Sequence, residues 1–187
     1  IVFNGTIIYE GSYVSSRYTA DTQNVEQRFL INNDRADTTT LTVNVQNSAS
    51  DTITSSYTLA TDIAGLTSTS NVYFLQEVED GKYEIYFGDG ILGNAIEDGN
   101  IVIMNYVITN KGVANSAAVF VSSAAIDTVN SVNVRTVSAA AGGSEPESIE
   151  SIKYNAPLDY ASQGRCVTAD DYKTYVKQLF ANTQSVS

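Results

Sequence analysis

The stretch Tyr83-Glu84-Ile85-Tyr86-Phe87-Gly88-Asp89-Gly90-Ile91-Leu92-Gly93 decides the fold class. Tyr83, Ile85 and Phe87 alternate with Glu84 and Tyr86, the period of a strand with one face toward a core. Residues 72–78 form a second strand-like run before it, and Asp80-Gly81 between the two is a pair suited to a tight hairpin turn. Working outward, Leu41, Val43 and Val45 alternate with Thr42 and Asn44. Residues 101–108 are almost wholly apolar and β-branched between Gly99 and Gly112, so they read as sheet interior. Residues 118–121 and 129–137 give further short strands, and Asn4-Gly5 between residues 1–3 and 6–9 predicts an opening hairpin.

After Gly142-Gly143 the period changes. Ser144 followed by Glu147 reads as a capping box, with Pro146 in the first turn, Ile149 and Ile152 as an apolar stripe, and Pro157 as the stop. Thr168 caps a second helix with Asp170 and Asp171 in its first turn, where the helix dipole favours negative charge. Its residues Tyr172, Tyr175, Val176, Leu179 and Phe180 recur at helical spacing along one face, and Val167 is placed to staple against Tyr172. The reading is therefore α+β: mainly antiparallel strands followed by a C-terminal pair of short helices. It divides into an N-terminal β region at 1–60, a β domain holding the Gly-Asp-Gly loop at 61–140, and a helical segment at 141–187.

The 187 residues hold 43% hydrophobic and 17% charged residues, enough apolar material for a core. A net charge of −11 repels nucleic acid and anionic membranes, and neither is expected as a partner. No run approaches the ~18 apolar residues needed to span a bilayer. With no His and one Cys, the Ser-His-Asp triad, the Cys-His pair and His- or Cys-based zinc sites are all excluded. Cys166 reads as a small packed residue. The chain starts without Met and reads as a piece of a longer protein.

The densest polar cluster runs through Gly88, Asp89, Gly90, Gly93, Glu97, Asp98 and Gly99. Asp89, Glu97 and Asp98 are oxygen ligands of the kind calcium prefers, but their spacing matches no calcium loop. The structural alternative gives Gly88 and Gly90 positive φ angles and bonds Asp89 to the local backbone. Glu77, Glu79, Glu84 and Asp89 are the carboxylates from which a glycosidase pair would have to come. Arg165, one of five Arg, is placed to pin the start of the second helix through Asp170 or Asp171.

Taken in order, residues 74–77, 83–93, 97–100 and 101–106 resemble the strand–loop–strand signature of the baseplate J-like family, structural proteins of contractile phage tails. Asp37-Thr38-Thr39-Thr40-Leu41-Thr42-Val43-Asn44-Val45 is similar to an earlier strand of that family. Gly142-Gly143-Ser144-Glu145-Pro146-Glu147-Ser148, Ala156-Pro157 and Arg165-Cys166-Val167-Thr168-Ala169-Asp170-Asp171-Tyr172 are similar to its helical close. The likeness is strongest to the members that close the inner ring of the baseplate in large tailed phages. It departs at Cys166, where a small aliphatic residue is expected.

The resemblance implies no catalytic residues, no cofactor and no metal. It implies a virion protein of the tail baseplate, assembled in the host cytoplasm. Such a subunit associates with copies of itself, through dimer contacts within a sixfold ring, and with other baseplate wedge proteins; the ring rearranges as the sheath contracts. Ile149, Ile152, Tyr172, Tyr175, Val176, Leu179 and Phe180 are the expected interface residues. Gly88, Asp89, Gly90, Gly93 and Gly99 are the structural loop, and Arg165, Thr168 and Asp171 the helix start. The alternative is a carbohydrate-binding β module of a tail fibre or adhesin, for which the 12 Tyr would supply the binding face.

Overall fold

The computed structural model describes residues 4–24, 26–125, 127–129, 132–162 and 165–179, without the side chains of 177 and 178. The chain falls into two compact units, Ile1–Gly143 and Ser144–Ser187. The first holds seven strands: β1 (Ser12–Thr19), β2 (Phe29–Ile31), β3 (Ala36–Gln46), β4 (Thr54–Leu59), β5 (Val72–Glu77), β6 (Tyr83–Phe87) and β7 (Ile101–Ile108). They form one sheet in the order β1-β7-β3-β4-β5-β6-β2, antiparallel throughout except for the short parallel β4–β5 pair. The sheet draws on both the 1–60 and the 61–140 stretches.

The sheet curls until its terminal strands approach each other at the Tyr18 end of β1. Tyr18 on β1 donates its hydroxyl to the Leu30 carbonyl on β2 at 2.8 Å. A chain of edge-to-face ring pairs, Tyr18–Phe29, Phe29–Phe87 and Phe87–Tyr57, then carries the closure across β1, β2, β6 and β4 with centroids 5.2–5.9 Å apart. Inside lie Phe29, Ile31, Val43, Ile85, Val102 and Met104, each at most 1% exposed. Each such side chain removed from water contributes about 1.5–3 kcal/mol. Ile85 is among them, with Tyr83 and Phe87 packed against the cluster on the same face, as the alternation in the hairpin requires.

Asp80 and Gly81 turn the β5–β6 hairpin with φ of 61° and 66°, the positive pair a tight reversal needs. A second local device sits in β3, whose pairing with β7 shifts register between Asp37 and Thr42. There Thr40 Oγ1 accepts the Val107 N–H at 3.0 Å and donates to the Asp37 carbonyl at 2.8 Å, so a side chain fills the rung that the bulge removes from the ladder.

The second unit contains α1 (Ile149–Ser162) and α2 (Ala169–Leu179), which pack on each other. For α2 the expected cap is present: Thr168 Oγ1 accepts the Asp171 N–H at 3.2 Å, while the Asp171 carboxylate accepts the Thr168 N–H at 2.8 Å and that of Val167 at 3.1 Å.

Several sequence expectations are corrected. α1 begins four residues later than Ser144 implies. Ser148 is its cap, accepting the Ser151 N–H at 3.2 Å, and Glu147 bonds forward to Ser151 and Asn155. Pro157 lies inside the helix instead of ending it. A proline removes a single main-chain donor, and the following turn still closes. Residues 118–121 form no strand, and the 129–137 stretch contains only an isolated bridge at Val129 among its described residues. Both have strand-forming residues but join no ladder of the sheet among the described residues. Residues 6–10 are likewise not a strand, and residues 1–3 of the expected opening hairpin lie outside the described residues. The Val167–Tyr172 staple does not form a packed pair: the two side chains are 78% and 58% exposed.

Candidate functional site

The loop between β6 and β7 is built as a rigid corner. Asp89 Oδ1 accepts the N–H groups of Ile91 and Leu92, both at 2.9 Å, and these two bonds hold its carboxyl below the usual carboxylate range. Gly90, Gly93 and Gly99 have positive φ, but Gly88 does not. Gly88 is needed for a different reason: a Cβ there would overlap the Leu92 carbonyl and the Gly93 backbone. The loop is then tied to its surroundings by Gly93 N–H to Thr67 O at 3.1 Å, Asn94 N–H to Ser70 O at 2.8 Å and Gly99 N–H to Ala20 O at 3.0 Å.

Two shallow hollows flank this loop, a polar one lined by Asn47, Tyr57, Asn94, Glu97 and Asn100, and a mixed one where Asp21, Thr22, Gln27 and Asp89 meet Phe87 and Ile96. Their polar groups bond one another. Asn94 Nδ2 donates to the Tyr57 hydroxyl at 3.2 Å and to Asn71 Oδ1 at 3.1 Å; Asn100 accepts the Glu97 N–H at 2.7 Å and donates to Asn47 O at 2.8 Å. Asp98 Oδ1 accepts the Thr22 N–H at 3.1 Å. Among the described residues no three Asp, Glu or Cys side chains converge as a metal site, so Asp89, Glu97 and Asp98 are not gathered as calcium ligands would be.

The carboxylates considered for glycoside hydrolysis are also kept apart. Glu84 stands opposite Gln76, and Glu77 opposite Tyr83 in the next rung, so the two project from opposite faces of the hairpin. Glu84 has Arg28 Nη1 at 3.9 Å. On that outer face Phe74 and Tyr86 stack with centroids 5.1 Å apart, and the Arg28 guanidinium lies 4.0 Å from the centre of the Tyr86 ring. The Tyr86 ring is therefore engaged within the chain. Sequence reading missed this cluster, although the cross-strand pairing of Phe74 with Tyr86 follows from the hairpin register.

The residues expected at an interface lie on α1 and α2. Ile149, Ile152, Tyr172 and Leu179 are exposed, whereas Tyr175 and Val176 are half-buried. The apolar stripe of α2 is thus only partly covered, and Phe180 lies outside the described residues. Thr168 and Asp171 meet in the cap described above. Arg165 is exposed before it, its N–H donating to Ser162 O at 2.9 Å. Among the described residues no helix is long and apolar enough to cross a membrane.

The sheet unit thus offers an internally bonded corner, and the helical unit offers exposed apolar side chains. Residues 17–122, from within β1 to beyond β7, match the family described as "Bacteriophage baseplate wedge protein gp6, third domain". The chain belongs to the baseplate wedge protein gp6 family. A curated relative, "Baseplate wedge protein gp6" of Enterobacteria phage T4, is 29% identical over an alignment of 137 positions that covers 62% of this chain and 21% of the relative. The chain therefore spans about a fifth of that relative's length. Family members are structural proteins of the virion's tail baseplate, and this chain is one of them.

Proposed function

We propose that this chain is a non-catalytic piece of a baseplate wedge that associates with copies of itself and with other wedge proteins, in a ring that rearranges during sheath contraction. The observation that carries this reading is the match of residues 17–122, most of the sheet region, to the third domain of a wedge protein. It is supported by apolar side chains left in water on α1 and α2: Ile149, Ile152, Tyr172 and Leu179. Surface of this kind is covered in an assembly, and a stable interface buries on the order of 1,600 Å² in total. The internal bonding of Asp89, Asp98 and Glu84 adds support, because these carboxylates are spent on holding the fold.

The test is light scattering of the chain over a rising concentration series, with and without a second wedge protein, for the native sequence and for Tyr172→Glu with Leu179→Glu. The native chain forms discrete oligomers or hetero-complexes, and the double variant weakens them while keeping its circular dichroism. A chain that stays monomeric alone and with every wedge protein overturns the reading.

A further inference from the structure

The curled sheet is open along β1. Among the described residues β1 pairs with β7 alone, and its inward row Val14, Ser16 and Tyr18 is only half-buried. The inward row of β7, Val102, Met104 and Tyr106, is 0–4% exposed. Among the described residues Tyr18 is the β1 side chain that bonds β2, through Leu30, and toward Ser12 no described strand pairs with the outer side of β1. Sheet edges that must stay free are protected by Lys, Pro or inward charges, and residues 6–19 contain no Lys or Pro.

The same chain carries strand-forming residues that join no sheet among the described residues. Beyond β7, Asn115 clamps Gly143 on both main-chain groups, donating from Nδ2 to the carbonyl at 2.7 Å and accepting the N–H on Oδ1 at 3.1 Å. Ser116 N–H to Ala140 O and Ala140 N–H to Ala117 O, both 2.8 Å, close the stem. Lys111 and Ser116 hold positive φ of 55° and 71° there, and any Cβ on Gly143 would overlap the Lys111 carbonyl. Such backbone persists only where its surroundings fix it. From this stem residues 118–121, Ala-Val-Phe-Val, project with Val119 86% and Val121 83% exposed.

We propose that residues 118–121 of one copy add as a strand to the open side of β1 in a second copy, which deepens the self-association reading above and rests on it. Val119 and Val121, two apart, share a face and extend the half-covered Val14 and Ser16 end of the inward row, away from the Tyr18–Leu30 closure, while main-chain N–H and C=O groups on both sides gain partners. A second copy fits better than a foreign strand because the bare edge and the bare strand occur on one chain, and head-to-tail repetition satisfies both at every contact. Charge agrees. The chain carries −11, yet residues 118–123 carry no charge and β1 carries only Arg17, so the contact brings no carboxylates together.

The test uses a Cys166→Ser background in which a tagged Ser15→Cys chain is mixed with a differently tagged Ser122→Cys chain and treated with a short bismaleimide. The expected product is the mixed cross-link, and Val119→Asp with Val121→Asp abolishes it while the circular dichroism is unchanged. Oligomers by light scattering without the mixed cross-link, or a cross-link that survives the Asp variant, overturn this strand exchange and leave self-association standing. Monomer at every concentration overturns both.

Discussion

Gly88 and Asp89 show how single residues set the corner that joins β6 to β7. Gly88 is constrained by space, because its missing Cβ is where the Leu92 carbonyl and Gly93 backbone lie. Gly88→Ala forces that backbone apart and costs about 1–3 kcal/mol in urea unfolding. Gly112→Ala is the control: its Cβ would have no neighbour nearer than 3.6 Å, and a change within about 0.5 kcal/mol is expected. Asp89 acts through charge. Its carboxyl is held below its ordinary value by the Leu92 and Ile91 amides, so the native state binds its proton less readily than the unfolded chain does. Its contribution is complete above the ordinary carboxylate range, about pH 4, and disappears as the pH falls through the lower folded value. Asp89→Asn keeps an acceptor oxygen but cannot titrate, so its melting temperature falls less steeply than that of the native chain between about pH 5 and pH 2. Equal slopes would show that the two amide bonds owe nothing to the charge.

At the scale of elements, what sequence could reveal depended on whether a segment carried its own signal. β3 and β6 were legible because core-facing apolar residues alternate with outward ones along them, β5 because it is a short run rich in aromatic and branched residues beside a turn, and residues 101–108 because both faces are apolar. β1 and β4 are Ser- and Thr-rich, with few apolar residues to mark an inner face, and β2 has three residues; each is a strand only because a neighbour pairs with it. Residues 118–121 show the converse, good strand formers that join no strand ladder among the described residues. The helix caps divide similarly. Thr168 and Asp171 form a reciprocal pair, whereas Ser144 and Glu147 have the same spacing and do not start α1, because Ser148 is closer to the residues that wind. Thr168→Ala removes the acceptor for the Asp171 N–H and costs about 1 kcal/mol of α2 stability, read as faster amide exchange in residues 171–176 with β7 unaffected. The loop glycines were legible as a turn, but not the separate reason for Gly88, which depends on the distance to Leu92.

For the molecule as a whole, the buried apolar residues lie in one place. Every buried hydrophobic side chain among the described residues, from Ala20 to Tyr106, belongs to the sheet unit, and in the helical unit the buried residue is Ser162. Helices draw most of their stability from a buried apolar face, and isolated ones of about 12–15 residues are marginal in water. α1 and α2, of 14 and 11 residues, leave Ile149, Ile152, Tyr172 and Leu179 in solvent, so their amides open at far lower free energy than those of β3 and β7. Hydrogen exchange on dilute chain therefore gives slow amides in 43–46 and 102–106 and fast ones in 149–162 and 169–179. If assembly covers the helical stripe, raising the concentration into the oligomeric range slows exchange in α1 and α2 and leaves the already protected sheet core unchanged, since N-state association adds stability only where the bound and free states differ. Strand exchange at β1 makes a separate mark: slower amides at 12–17 and 118–121, lost in Val119→Asp with Val121→Asp while helical protection persists. Protection that rises on the strands and never on the helices would move the interface from the apolar stripe to the sheet edge.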